Sequence, residues 1–278
     1  MSLAFEVPIA EQTASPARIQ HLLYSSRRVA TGLHWSDSSD WFREDPAWTR
    51  SLWHGDRLVG LLACTPPCAG SSWLRLCALA DDLDAPDAFH NLWRELSCGL
   101  RQPGVREVHL LGSRQDWLRD CLVANGFVCE EKVVSLSRPL NGAPSCLTGA
   151  GYIRRATDCD LDRLMVLDEA AFPPHWRMSA GELRRALRLA ANFTVLELDG
   201  AIRAFQITTR CDTEAHLSRL AVHPDYQGRG LGSRLLADVI RRCRTRGLAS
   251  LTVNTQAHNR RSLRLYRRFD FRRTGPRY

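Results

Sequence analysis

The sequence lacks the features that mark several classes of protein. No run of about 18 uncharged apolar residues occurs in its 278 residues, so it predicts no membrane-spanning helix. The opening stretch MSLAFEVPIAEQ has neither a basic start nor a long apolar core and does not resemble a secretory signal. No C-x-x-C pair is present, and no histidine lies at zinc-finger spacing from a cysteine. We therefore expect neither a membrane segment nor a metal site.

Lysine is almost absent, since Lys132 is the only one among 38 basic residues. The ten cysteines are scattered, mostly inside apolar runs, which is typical of reduced cysteines in a cytoplasmic protein. Residues 1–150 hold 14 basic and 17 acidic side chains, whereas residues 151–278 hold 24 and 13. The basic second half suits a polyanionic small molecule, an acidic partner or nucleic acid. Because its arginines lie in no nucleic-acid recognition motif, nucleic acid is the least favoured of these.

A stretch rich in Gly, Pro, Ser and Ala, SRPLNGAPSCLTGAGYIRRA, predicts a linker between two domains, 1–146 and 147–278. The predicted hairpins turn at Gly55-Asp56 in the first domain and at Asp199-Gly200 in the second. Further strands and helices follow in the same order, ending with KVVSLSRP in the first domain and with the helix NRRSLRLYRRF in the second. The sequence therefore predicts two tandem copies of a mixed α/β domain with a mostly antiparallel sheet flanked by helices.

Three glycines lie within five residues of HPDYQGRGLGSRLL, between a predicted strand and a predicted helix. The free N–H groups and the dipole of a helix N-terminus attract anions, and glycines let a phosphate approach the backbone. A P-loop requires G-K-[ST] at the helix start, where this chain has Gly232-Ser233. The dinucleotide fingerprint G-x-G-x-x-G fails because Ser233 occupies its sixth position. The pattern Q/R-x-x-G-x-G/A is met by Gln227, Gly230 and Gly232.

This pattern and its surroundings resemble the GNAT superfamily of acetyl-CoA-dependent N-acetyltransferases. The resemblance covers roughly Tyr152 to the C-terminus and is strongest for the branch that includes ribosomal-protein-alanine acetyltransferases. The later stretch NTQAHNRRSLRLYRRFDF matches the family's N-x-x-[AS]-x-x-x-Y-x-x-x-x-F at Asn259, Ser262, Tyr266 and Phe271.

The sequence departs from the family pattern in two places. Asp270 replaces the usual Gly before the last Phe of the motif, and only seven residues follow Phe271, where the family normally adds a strand. The sheet of the second half is then either incomplete or completed by the first half.

The resemblance implies that acetyl-CoA is the cosubstrate and that its pyrophosphate lies against the backbone of a glycine loop. The loop residues are Gln227, Gly228, Arg229, Gly230, Leu231, Gly232 and Ser233. The side chain of Arg229 or Arg234 either assists there or is a solvated surface charge. The pantetheine is expected to pair like an extra strand with Leu220, Ala221 and Val222. The resemblance also places Asn259 and Ser262 at the cofactor, although Asn259 equally suits a helix N-cap.

Tyr266 is given the role of general acid by the same resemblance. When an amine attacks the thioester, a thiolate leaves, and a nearby hydroxyl donor eases its departure. The alternative is a half-buried aromatic side chain packed beside Phe269 and Phe271.

The general base is the weakest part of the predicted site. Related enzymes carry a glutamate where this chain has His216 and Asn254, and only His216 of these two can accept a proton. Glu214 or His258 acting through a water is an alternative, and an α-amine needs no dedicated base. Acceptor pockets of the family come from the helix and loop after the first strand, here EAAFPPHWRMSAGEL.

The first half provides an internal comparison. Gln115, Leu118 and Leu122 stand where the Asn, Ser and Tyr of the motif stand in the second half, and ADDLDAP replaces the glycine loop. Carboxylates at that position repel a pyrophosphate. We therefore expect that residues 1–146 do not bind coenzyme A and instead cover an edge of the active domain or shape its acceptor site.

Together these expectations describe an N-acetyltransferase that moves an acetyl group from acetyl-CoA to a primary amine by direct attack in a ternary complex. The acceptor is a small molecule, a peptide or a protein N-terminus. The alternative is a non-catalytic acyl-CoA-binding or regulatory module. We expect a monomer or homodimer with no membrane partner.

Overall fold

The structure is a computed structural model, and it describes residues 9–10, 14–31, 46–111, 115–141 and 150–274. The chain forms two compact units, and the division between them falls between Glu130 and Glu131. The boundary predicted at residues 146 and 147 lies outside the described residues, C-terminal to this division. The strand predicted at KVVSLSRP does form, but it belongs to the sheet of the second unit.

The first unit is built on a six-stranded sheet. Its strands are β1 Ile9–Ala10, β2 Arg28–Thr31, β3 Thr49–His54, β4 Arg57–Cys64, β5 Ser71–Leu79 and β6 Glu107–His109. Its described helices are α1 Pro16–Ser25, α2 Ala85–Arg101 and α3 Asp116–Ala124. The path β1-β3-β4-β5-β2 is antiparallel throughout, and β6 pairs with β5 in parallel.

The hairpin predicted in the first half is confirmed, since β3 pairs with β4 around Gly55, whose φ is +56°. Helix α2 buries Phe89, Leu92 and Leu96 against the sheet, as its periodicity predicts. The strand predicted at REVHLLGS is shorter than expected, with only three residues in β6. Helix α1 and strand β2 were not predicted, because α1 buries only two side chains and β2 has four residues.

The second unit is built on a seven-stranded sheet of order β13-β7-β12-β11-β10-β9-β8. Its strands are β7 Val133–Pro139, β8 Tyr152–Arg155, β9 Asn192–Leu198, β10 Ala201–Cys211, β11 Glu214–Val222, β12 Ser250–Gln256 and β13 Arg272–Arg273. Its helices are α4 Leu161–Ala171, α5 Ala180–Leu189, α6 Leu231–Thr245 and α7 Arg260–Arg268. The pairing is antiparallel except between β11 and β12.

Strand β7 completes this sheet. It pairs with β12 over all seven of its residues and carries β13 on its other edge. Val134 and Leu136 of β7 are buried in the same core as α6 and α7. Of the two arrangements that the sequence left open, the sheet is thus completed by a strand that precedes the linker.

The helices of the second unit cover opposite faces of its sheet. Leu236 and Val239 of α6 pack in one core with Tyr266 of α7. Helices α4 and α5 pack on the other face, in a core with β9 and β10 where Leu183 and Phe205 are fully buried. Phe205 and its neighbour Ala204 enter different cores, as expected for successive strand residues.

None of the cysteines in the described ranges forms a disulfide. The described helices include none that is both long enough and apolar enough to span a membrane.

Candidate functional site

A gap opens in the second sheet between its two parallel strands. β11 and β12 pair from Glu214 with Ser250 to Leu217 with Val253, and the pairing ends there. Beyond this point β11 continues to Val222 along β10, while β12 continues to Gln256 along β7. In the described part of the chain no strand occupies the edge of β11 after Leu217, so its backbone groups face the gap.

A β-bulge accounts for this separation. Ile207 of β10 pairs with Arg219 and Thr208 pairs with Leu217, which leaves Ser218 as an extra residue in β11. A bulge bends its strand and increases the local twist. β11 therefore turns away from β12 at Ser218. The predicted pantetheine-binding residues Leu220, Ala221 and Val222 all lie after the bulge.

The glycine loop closes the wide end of the gap. Gly230 is the N-cap of α6 with φ +84°, and it supplies no side chain to cap the helix. A Cβ atom at Gly228 or Gly230 would meet open space, so the backbone there is accessible from outside. The first N–H groups of α6, at Leu231, Gly232 and Ser233, have no partner within the helix. This is the geometry of an anion site.

Gln227 connects the glycine loop to strand β11 and to helix α7. Its Nε2 donates to the Val222 carbonyl at the end of β11, at 3.2 Å. Its Oε1 accepts a hydrogen bond from Arg261 on α7, the helix that follows β12. Gly232 lies between the same elements, because a Cβ atom there would contact Val222 and Leu265. The loop is thus held where the two strands diverge.

The two arginines near the loop have protein partners. The Arg229 guanidinium lies 4.8 Å from the centroid of the Tyr226 ring. Arg234 donates to the carbonyls of Ala150 and Gly151, which precede β8. Arg234 therefore connects α6 to the residues just before β8.

Asn259 is the N-cap of α7, since its Oδ1 accepts from the Ser262 N–H at 3.1 Å. The structural role that the sequence allowed for Asn259 is therefore observed. Contact of Asn259 or Ser262 with the cofactor stays a prediction. Asp270, two residues after the end of α7, has φ +59°, a conformation that glycine adopts most easily.

Tyr266 is 4% exposed, and its ring centroid lies 5.5 Å from the ring centroid of Phe271. Burial raises the pKa of its phenol well above the ordinary value, so the hydroxyl keeps its proton. In the described part of the chain no residue forms a hydrogen bond with this hydroxyl, which leaves it available to a ligand.

His216 lies in the paired part of β11, opposite Thr252. Its Nδ1 is 2.8 Å from the Thr252 hydroxyl oxygen, and that hydroxyl donates to the Ala215 carbonyl. His216 therefore donates through Nδ1, and Nε2 carries the lone pair. Burial lowers its pKa to about 4, so the ring is neutral but a weak base at neutral pH.

The other candidate bases differ in placement. Asn254, in the diverging part of β12, accepts a 2.7 Å hydrogen bond from Ser135. Glu214 is the first residue of β11, at the end remote from the loop, and binds Ser250. His258 is exposed and lies 3.9 Å from the Glu131 carboxylate.

Glu131 was missed in the sequence. Its Oε2 accepts from the Trp176 indole N–H at 3.3 Å, which joins the segment before β7 to the predicted acceptor loop. Ala257 donates to the Lys132 carbonyl, so the β7–β12 ladder continues to this point. The only sequence signal was a carboxylate directly before a predicted strand, and its meaning depends on β7 joining the second sheet.

A buried ion pair was also missed. Asp168 of α4 accepts two hydrogen bonds from Arg219 of β11, at 2.8 and 2.5 Å. Burial raises the pKa of Asp168, while Arg219 and the Met178 N–H oppose that shift. The two residues are 51 positions apart, so no local pattern announces the pair.

The equivalent gap in the first unit is filled by the chain itself. β5 and β6 pair from Ser71 with Glu107 to Trp73 with His109, as β11 and β12 do at their start. Beyond Trp73, β2 pairs with β5 from Leu76 to Leu79. Since β4 pairs with the other edge of β5, β2 lies on the same edge as β6. The edge of β5 that corresponds to the gap of the second unit is thus occupied from Leu76 to Leu79.

Comparison with known proteins agrees with this geometry. Residues 161–271 match the Acetyltransferase (GNAT) family. The matched range runs from the start of α4 to the end of the Asn-Tyr-Phe motif, and it includes the gap, the glycine loop and Tyr266.

Relatives of this chain include the ribosomal protein bS18-alanine N-acetyltransferase of Salmonella typhimurium. The two sequences are 40% identical over 76 residues, which cover 27% of this chain and 51% of that protein. The mycothiol acetyltransferase of Clavibacter michiganensis is 30% identical over 182 residues, 61% of this chain and 56% of that protein. The chain thus spans about half the length of the curated relatives it matches.

A tandem GNAT protein from the clavulanic acid biosynthesis pathway shares the fold over most of both chains. Its solved structure has a TM-score of 0.54 at 16% identity and covers 82% of this chain and 83% of its own. The tandem α/β arrangement expected from the internal repeat is therefore confirmed.

The described residues include no group of three or more His, Cys, Asp or Glu side chains placed to hold a metal ion.

Proposed function

We propose that the second unit is an N-acetyltransferase that moves the acetyl group of acetyl-CoA to a primary amine by direct attack. The observation that carries this proposal is the gap between β11 and β12. It has an open strand edge on one side, an uncapped helix N-terminus at its wide end and the buried Tyr266 hydroxyl in the core beneath it.

The residues present fit acetyl-CoA. The edge of β11 from Leu220 to Val222 offers backbone groups to the amides of a pantetheine arm, in the manner of an added strand. The N–H groups at the start of α6 suit the pyrophosphate, and no acidic side chain lies in the first turn of that helix. The arginine-rich character of the second half favours the same polyanion.

Tyr266 supplies the proton for the leaving thiolate. Its neutral phenol lies in one core with Leu217 and Val253, the last residues that pair before the strands diverge. A general acid must carry its proton before the reaction, and the raised pKa of Tyr266 ensures this.

We propose the α-amino group of a polypeptide N-terminus as the first acceptor class. Its support is the 40% identity over 76 residues to a relative named as an alanine N-acetyltransferase. An α-amino group has a pKa of about 8, so an appreciable fraction is already unprotonated at neutral pH. Deprotonation of this acceptor then does not require a strong general base, and the weakly basic His216 is compatible with it.

A small-molecule amine is the second candidate. It is favoured by the relative named as a mycothiol acetyltransferase. The similarity to that protein extends over 182 residues and is therefore longer than the range 161–271 that matches the acetyltransferase family.

The test compares Tyr266→Phe with the wild-type chain. We expect turnover of acetyl-CoA with an alanine-initiated peptide to fall about 100-fold, the range for loss of a general acid, while acetyl-CoA binding is kept. Tyr152→Phe removes the same hydroxyl from an exposed residue and serves as the matched control. Thiol release gives the rate, and calorimetry gives the affinity.

Equal rates for Tyr266→Phe and the wild type would refute the tyrosine assignment. Tight acetyl-CoA binding without turnover, for peptides and small amines alike, would instead favour the non-catalytic acyl-CoA-binding module.

A further inference from the structure

The connection between α4 and α5, residues 172–179, belongs to the segment in which the sequence predicts the acceptor pocket. Both of its ends are held by the same ion pair. Near its start, the Phe172 ring centroid is 3.5 Å from the Arg219 guanidinium carbon. Near its end, the Met178 N–H donates to Asp168 Oδ2 at 2.8 Å.

The ion pair is itself well shielded. The Asp168 side chain is 1% exposed and that of Arg219 is 11% exposed. Arg219 donates through both Nε and Nη2 to Asp168 Oδ1, while Met178 takes the other carboxylate oxygen. One carboxylate thus joins a strand, a helix and the connection.

The position of Arg219 in the sheet is the second observation. It is the first residue after the bulge at Ser218, on the stretch of β11 whose free edge faces the gap. The pair therefore links the acceptor-side connection to the strand proposed to bind the pantetheine arm.

Stability alone does not explain such a pair. Replacing a buried ion pair by apolar side chains of similar volume is often neutral or stabilising, because desolvation of the charges offsets their attraction. The planar guanidinium, by contrast, fixes direction as well as distance, since it donates two bonds and stacks on a ring at once. That combination suits a part whose task is to hold a loop in one place.

We propose that Arg219 and Asp168 are positioning residues that fix the connection 172–179 against β11 and so determine the affinity for the acceptor. The proposal rests on the proposed acetyltransferase function. Outside the pair itself, its side chains contact Phe172 and Met178, which lie outside the glycine loop. Its loss should therefore act on the acceptor KM and leave acetyl-CoA affinity unchanged.

The test variant is the double substitution Arg219→Met and Asp168→Asn. It removes both charges together, so no unpaired charge stays buried, and the Asn side-chain oxygen can still accept from Met178. The matched control is Arg154→Met with Asp160→Asn, which neutralises another shielded pair of the second unit, between β8 and the turn before α4. Arg154 also contacts Glu197, whose side chain is 28% exposed, so the charge of Glu197 keeps access to water in this control.

We expect the test variant to raise the KM for an alanine-initiated peptide at least tenfold. Hydrogen–deuterium exchange in residues 172–179 should become at least tenfold faster, and the dissociation constant for acetyl-CoA should stay within twofold of wild type. Arg219→Lys with Asp168 intact keeps the charge but not the two-bond contact, and should restore only part of the peptide KM. The control should change neither the peptide KM nor exchange in 172–179.

Equal effects of the two double variants on the peptide KM would overturn the proposal, and so would a matching loss of acetyl-CoA affinity. If the wild-type chain binds acetyl-CoA but acetylates no tested amine, the proposed function fails. Exchange in 172–179 then still decides the positioning role, because unchanged exchange in the test variant contradicts it.

Discussion

The two units of this chain carry the same parallel strand pair, but only the second leaves a gap beside it. In the first unit, β2 occupies the edge of β5 from Leu76 to Leu79. In the second, the corresponding edge of β11 is open after Leu217. A strand edge needs hydrogen-bond partners in either case. The first unit meets this need with its own strand, whereas in the described part of the second unit no strand does so.

The side chains around the two positions follow the same division. Gln115, at the place of Asn259, donates to the Val29 carbonyl of β2 at 2.9 Å. Asp84 caps α2 by accepting from the Asp87 N–H, whereas Gly230 leaves the start of α6 uncapped. The first unit thus uses its own backbone and carboxylate where the second presents free donors.

The strongest test of this comparison separates the units. We expect residues 131–278 to bind acetyl-CoA and residues 1–130 to show no binding, because β2 fills the only equivalent edge in the described part of the first unit. Calorimetric titration of each fragment measures the difference. Acetyl-CoA binding by residues 1–130 would break the comparison.

A shorter fragment tests the sheet itself. Residues 147–278 lack β7, whose removal exposes the edge of β12 and the core around Val134 and Leu136. This fragment should show no cooperative unfolding transition by circular dichroism, whereas residues 131–278 should show one. A cooperative transition in both would mean that β7 is dispensable.

Giving the second unit the helix cap of the first is the next test. Gly230→Asp places a carboxylate at the start of α6 and forces a non-glycine residue to φ +84°, at a cost of about 1–2 kcal/mol. We expect acetyl-CoA affinity to fall at least tenfold. Gly247→Asp, at φ +70° beyond the other end of α6, is the control, with similar backbone strain but unchanged affinity. Equal affinities of the two variants for acetyl-CoA would place the pyrophosphate elsewhere.

Glu131 tests the comparison on the acceptor side. It directly precedes the β7 segment, which lies before the predicted linker but belongs to the second unit. Its carboxylate accepts from Trp176 of the predicted acceptor loop, and we expect it to attract the ammonium form of an acceptor bound there. Glu131→Gln should raise the acceptor KM several-fold, a modest effect since the site is partly solvated. The exposed neighbour in Glu130→Gln loses the same charge and should have no effect in the same steady-state assay.

The smallest expected effect concerns His216. Its pKa is about 4 in the folded chain and about 6.5 when unfolded, so between these values only the unfolded chain binds the proton. The free energy of unfolding should therefore fall as the pH is lowered from 6.5 to 4, and His216→Gln should reduce that slope. Denaturant titrations across this range measure it, with the exposed His258→Gln as control. An unchanged slope in His216→Gln would show that the ring is not shielded.

Local patterns predicted much of the architecture. The hairpins at Gly55 and Gly200, the amphipathic helices and the strand leading into the glycine loop all depend on neighbouring residues, and they form as expected. The Asn-Tyr-Phe spacing likewise predicted α7 and the N-cap at Asn259. Such features are visible in one stretch of chain because their hydrogen bonds and buried faces are local.

The sequence by itself therefore determined which half carries a glycine loop and a buried tyrosine, and which half carries aspartates and a leucine instead. Only the tertiary structure decided that β7 crosses to the second sheet, that β2 closes the first gap, and that Asp168 meets Arg219. Each of these depends on pairing between distant segments, which is set by the total burial and hydrogen bonding of the folded unit and by no single stretch.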